Sequence, residues 1–158
     1  MDVSTRLDYF HKEHEDFLRF LDDWERTLET LASKDQDSVR TALSRLREMQ
    51  PNLKAIESHC SSEELNVEDP YRNFLEKGQL EQLKKEHLEL AHMVTDMLSE
   101  LRFATLYETE RARSAGHELA GLVRRHMRFE EKLLEEIADK LSAEAEEKVL
   151  LRYTQAPE

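Results

Sequence analysis

Leu7, Phe10, Phe17, Leu21, Trp24, Leu28 and Leu31 recur at intervals of three, four and seven residues. Such a stripe can be buried only on one face of a helix, here from about Thr5 to Ala32. His14 is the one polar residue on that seam. After a turn at Ser33 to Asp37, a second stripe begins at Val39, Leu43, Leu46, Leu53 and Ile56 and continues through His59 and Glu63. Pro51 lies inside it and predicts a kink or a split, because proline removes a backbone donor and clashes with the preceding turn. Asn66 to Gly78, with Pro70 and Gly78 at its breaks, reads as a long connection with a helical turn near Phe74. A third helix is expected from about Gln79 to Leu106, its seam of Leu80, Leu83, Leu90, Val94, Met97 and Leu101 interrupted by His87. A fourth runs from about Glu108 to Lys140 on Leu119, Val123, Leu133 and Ile137, with His126 and Glu130 set into it. A short last helix is expected over about 142–153, where Ser142 precedes the acids Glu144, Glu146 and Glu147.

Four long helices joined by two short turns and one midpoint link predict an all-α fold, an up-down-up-down four-helix bundle over about 5–140 with a short C-terminal helix. The 158 residues suit one domain, and only three glycines and three prolines leave few of the turns a sheet needs. The formal net charge of −12 argues against nucleic-acid partners and anionic membranes, since both require a positive face. No segment approaches the ~20 apolar residues of a membrane span, so a cytoplasmic, soluble protein is expected. One cysteine, Cys60, excludes an internal disulfide and fits a reducing compartment.

The polar intruders fall at matching heights. At ~1.5 Å per residue, His14 and His59 stand about 20 and 24 residues from their shared turn, and His87 and His126 about 20 and 18 from theirs. Glu63 and Glu130 lie one turn beyond His59 and His126 on the same faces. Four imidazoles and two carboxylates therefore converge inside the core, where uncompensated glutamates are very costly and imidazoles alone supply no permanent positive charge. Metal ions do. Six ligands exceed the needs of one tetrahedral zinc and suit two carboxylate-bridged ions, with iron or manganese favoured by the nitrogen and oxygen donors. His11, about 60° from the His14 direction, is a candidate outer partner. His92 and His117 are expected to face solvent. Cys60, Glu13, Glu64, Glu86 and Glu131 each sit ~100° from a neighbouring ligand on the same helix, which predicts that they point away from the centre.

His14, His59-x-x-x-Glu63, His87 and His126-x-x-x-Glu130, on four helices in that order, resemble the hemerythrin-like family, also called the HHE cation-binding domain. The resemblance covers about Thr5 to Lys140 and implies two non-haem irons with an oxo or hydroxo bridge, Glu63 and Glu130 bridging and the histidines terminal. Manganese or zinc occupancy is also compatible with the ligands. The chain departs from the oxygen-carrying members, which use His-x-x-x-His on the third helix where this chain has Ala91, and His-x-x-x-x-Asp on the fourth. It looks more like four-histidine bacterial relatives linked to nitric oxide response, iron-centre repair and iron or oxygen sensing.

The expectation is a binding module for dioxygen, nitric oxide or iron rather than an enzyme, with Phe17 and Leu90 as the apolar lid or floor of the site. Two alternatives compete with it. One is a di-iron protein acting on nitric oxide or peroxide, or passing iron to an accepting protein or exchanging electrons with a redox partner. The other is a metal-free helical interaction protein.

Overall fold

The computed structural model describes the backbone of residues 3–68 and 71–154; Pro70, expected in the midpoint link, lies outside the described residues. The chain forms α1 (Val3–Thr30), α2 (Gln36–Glu48), α3 (Gln50–Glu63), α4 (Lys77–Phe103) and α5 (Glu110–Thr154). These make four antiparallel rods, because α2 and α3 follow one another across a single break at Met49. Pro51 sits in the first turn of α3, the helical position where a missing N–H costs nothing. The expected split is therefore observed. No helix among the described residues is long and apolar enough to cross a membrane.

Two boundaries differ from expectation. The segment beyond Ser142 is helical, but it is not a separate helix: α5 runs unbroken for 45 residues. Leu141 packs against the Phe10, Leu134 and Ile137 cluster just before the supposed start, and neither Gly nor Pro occurs between Leu122 and Ala156 to break the backbone ladder there. At the other boundary, α3 does not yield to a loop after Glu63 but widens into a π-helical turn over Glu64–Glu68. Such widened turns insert one residue into the ladder and are frequent at functional sites. A short 3₁₀ turn, Arg72–Phe74, occupies the place predicted for a helical turn.

The starts of α2 and α4 carry local side-chain contacts. The Ser38 hydroxyl donates to Asp35 Oδ2 at the start of α2, and the Glu76 backbone N–H donates to Gln79 Oε1 at the start of α4. Arg47 reaches from α2 to the end of α4, donating to the carbonyls of Leu101 and Ala104, which complements the exposed carbonyls there.

Between α1 and α5 the backbones approach closely at Gly116. A Cβ there would lie 2.6 Å from both methyl carbons of Leu28, and the Gly116 carbonyl accepts a bond from the Trp24 indole at 3.2 Å.

The apolar interior has two parts. The larger holds Leu21, Trp24, Leu28, Leu46, Ile56, Val94, Met97, Leu119 and Val123, and the smaller holds Phe10, Leu134 and Ile137 with Phe74 and Leu75 packed on it. On α1 the order is Phe10, His14, Leu21; on α5 it is Met127, Glu130, Leu134. A polar layer therefore lies between the two apolar parts, shielded at both ends of the bundle.

Candidate metal centre

Each long rod contributes to that layer. His14 comes from α1, His59 and Glu63 from α3, His87 from α4, and His126 and Glu130 from α5; all six are buried, none more than 6% exposed. The structure thus brings together the six residues that the seam pattern singled out. His14 Nε2 is 2.9 Å from Glu63 Oε1 and 2.9 Å from Glu130 Oε2, and His59 Nε2 is 2.8 Å from Glu63 Oε1. On the other side His87 Nε2 is 2.8 Å from Glu130 Oε1, with His126 Nε2 also against that oxygen.

The donors separate into two overlapping groups. His14, His59, Glu63 and Glu130 form one, and Glu63, His87, His126 and Glu130 form the other, each with ligand atoms within 4.8 Å of one another. Both glutamates belong to both groups. In each pair the two rings stand edge to face with centroids 4.7 Å apart, so their Nε2 atoms converge on one point.

The four Nδ1 atoms face outward to carboxylates. His14 Nδ1 donates to Glu131 Oε1 at 2.6 Å, His59 Nδ1 to Glu13 Oε2 at 2.5 Å, His87 Nδ1 to Glu64 Oε1 at 2.8 Å, and His126 Nδ1 to Glu86 Oε2 at 3.4 Å. A proton fixed on Nδ1 leaves the Nε2 lone pair toward the centre, the usual arrangement around a bound metal. This corrects the expectation that Glu13, Glu64, Glu86 and Glu131 are bystanders. A step of ~100° does turn each away from its own neighbour, but toward the histidine of an adjacent helix. Glu13, beside His14, serves His59; Glu86, beside His87, serves His126; Glu64, beside Glu63, serves His87; Glu131, beside Glu130, serves His14.

The other candidates fall at the margins. His11 Nδ1 is 2.7 Å from Glu131 Oε2, which places it one residue farther out than a direct partner of His14. Phe17 packs edge-on to the His59 ring at 5.2 Å, and Phe10, which was read only as a core residue, does the same at 5.5 Å. Leu90 is buried in the larger apolar cluster. His92 is exposed, and His117 pairs at the surface with Glu29. Cys60 departs from expectation: it is buried and its sulfur shares a group with His87 and His126. The ~100° between Cys60 and His59 points them at different halves of one centre, His59 toward α1 and Cys60 toward α4 and α5.

Electrostatics explain what holds this layer together without a metal. Burial disfavours charged imidazoles, but the enclosed carboxylates outweigh it, so His14 is pushed up to about 11, His87 to about 12 and His126 to about 10, with His59 also raised. At His87 and His126 the nearby Cys60 sulfur is the foremost cause of the rise, with Glu130 beside it. Glu63 is raised by burial and by the charge of Glu130. Burial pushes against ionisation of Glu130 too, but contacts from Glu63 and from His126, His14 and His87 hold it well below the usual carboxylate range. Protons thus stand where positive charge is needed. Even so, His126 Nε2 and Glu130 Oε2, each in close charge contact with a neighbour, complete no hydrogen bond, a state that buried polar groups rarely keep. A cation at each Nε2 convergence point would satisfy both.

The sequence matches the family model described as the hemerythrin HHE cation binding domain over residues 5–138. No curated protein and no solved structure matches the chain. A match of that extent shows that the chain belongs to the hemerythrin HHE family.

Proposed function

We propose that this hemerythrin HHE protein holds two non-haem iron ions and uses them to bind or sense dioxygen, nitric oxide or iron itself. The observation that carries the proposal is the pair of overlapping donor groups that share Glu63 and Glu130. His14 and His59 would hold one ion and His87 and His126 the other, with Glu63 and Glu130 shared between them. Two histidines and two carboxylates leave each ion short of the six ligands iron commonly takes, so positions remain for a small molecule. Bound iron supplies the redox-active, exchangeable coordination chemistry that these side chains lack.

The protein's own contributions are orientation, charge and exclusion of water. The four outer carboxylates fix the imidazole tautomer and raise its basicity. Phe10 and Phe17 close over His59, and the apolar clusters on both sides keep the layer dry. A loaded centre also removes the need for imidazolium protons, since metal ions replace them.

The test is replacement of both bridging residues. Glu63→Ala/Glu130→Ala should remain helical yet lose iron, and wild-type iron content in that variant would refute the ligand assignment. Adding dioxygen or nitric oxide anaerobically to the reduced wild-type protein should produce a spectral change that the variant lacks. Reversal on degassing marks a binding or sensing role, and catalytic consumption of nitric oxide would instead favour an enzyme.

A further inference from the structure

The two halves of the centre are not equivalent. Beside His14 and His59 the donor group contains only the shared glutamates, whereas His87 and His126 have the Cys60 sulfur within 4.8 Å of their ligand atoms. Cys60 is 4% exposed and sits one residue after a candidate ligand and three before a bridging one, so α3 presents His59, Cys60 and Glu63 to the layer together. A buried cysteine alone would be an ordinary small apolar residue. Here a second observation points to a ligand: His126 Nε2, 1% exposed and facing the same space, lies against Glu130 Oε1 yet completes no hydrogen bond. The outward nitrogens of both rings are taken by Glu64 and Glu86, so their inward nitrogens are the ones that meet the sulfur.

Resting on the two-ion centre proposed above, we infer that Cys60 is a thiolate ligand of the ion held by His87 and His126, so that the two metal positions are chemically distinct. The thiol gives up its proton to solvent as the sulfur–metal bond forms, as protein thiol ligands do. Ligands about 2.0–2.3 Å from one ion span nearly the separations present here, so small side-chain movements complete the site. The sulfur stands with the two imidazoles in a group that contains neither shared carboxylate, and such nitrogen and sulfur donors suit iron, cobalt or zinc and disfavour magnesium and manganese at this position. The ion beside His14 and His59, with one protein ligand fewer, becomes the one with more room for an exchangeable small molecule.

Cobalt(II) titration of the whole chain tests this, because thiolate ligation gives intense near-ultraviolet sulfur-to-cobalt absorption that nitrogen and oxygen ligands do not. The wild type should take up two cobalt ions, with the sulfur band growing in for only one of them. Cys60→Ser should abolish the band and weaken one ion by about 10-fold or more while retaining helix content and the other ion. X-ray absorption of the zinc-loaded wild type should show a sulfur shell near ~2.3 Å, and needs no variant. Two bound ions with neither sulfur signature would overturn the assignment of Cys60 and leave the two-ion centre standing. No ion bound would overturn both.

Discussion

Replacing Glu131 by alanine removes the carboxylate that orients His14 while leaving every proposed metal ligand in place. Glu131 Oε1 is 2.6 Å from His14 Nδ1, and its other oxygen meets His11 at 2.7 Å. The side chain is 27% exposed, so its effect is carried by this short contact more than by a long-range field. Loss of such a partner typically lowers metal affinity 10–100-fold, about 1.4–2.7 kcal/mol. The ion beside His14 and His59 should weaken by that amount, and the ion beside His87 and His126 by less than about 3-fold. Glu131→Gln, which keeps an acceptor but not its charge, should fall between. Competition with a chromophoric chelator reads both affinities. Two controls sharpen the result: His11→Ala leaves the Glu131–His14 bond in place, and Glu15→Ala removes an exposed charge on the same side of α1, so each should shift affinity less than about 3-fold. Equal weakening by Glu15→Ala and Glu131→Ala would refute the orienting role and reduce it to bulk charge.

The metal-free protein should lose stability with rising pH. His14, His87 and His126 are raised to about 11, 12 and 10, so the folded state binds more protons than the unfolded one above ~6.5, and the stability present below that pH is lost as pH climbs through about 10–12. Thermal melting from pH 7 to 10 should show Tm falling for the metal-free protein but not for the loaded one, whose imidazoles are neutral and metal-bound. Metal loading at pH 7.5 should release several protons, measurable with an indicator dye in weak buffer; uptake or no change would contradict the imidazolium layer. Gly116→Ala should destabilise the bundle by about 1 kcal/mol in urea titration, because crowding Leu28 at 2.6 Å outweighs alanine's better helix propensity.

The rods and the six buried polar residues of the layer were legible in the sequence because both are written on single helices. A stripe at intervals of three and four fixes which face is buried, and a histidine on that stripe is necessarily inside. The outer carboxylates were not legible from the same rule. Their partners lie on neighbouring helices, and a helical angle measured from the adjacent residue says nothing about what stands opposite. One signal was available: each of Glu13, Glu64, Glu86 and Glu131 is adjacent in sequence to an inward-facing residue, so each must lie at the edge of the buried layer. Cys60 was misplaced for a related reason, since a centre wide enough for two ions admits two successive residues of α3 into its two halves. The unbroken α5 was obscured by a serine and a run of acids that resemble a helix start, where no glycine or proline actually breaks the helix.

The ratio of metal to protein tests the central claim most directly. Protein reconstituted anaerobically with ferrous iron, oxidised in air and freed of loose metal should contain close to two irons per chain and show near-ultraviolet absorption from bridged ferric ions. Iron-free, colourless protein under those conditions, or a single iron per chain at saturation, would contradict the two-ion centre.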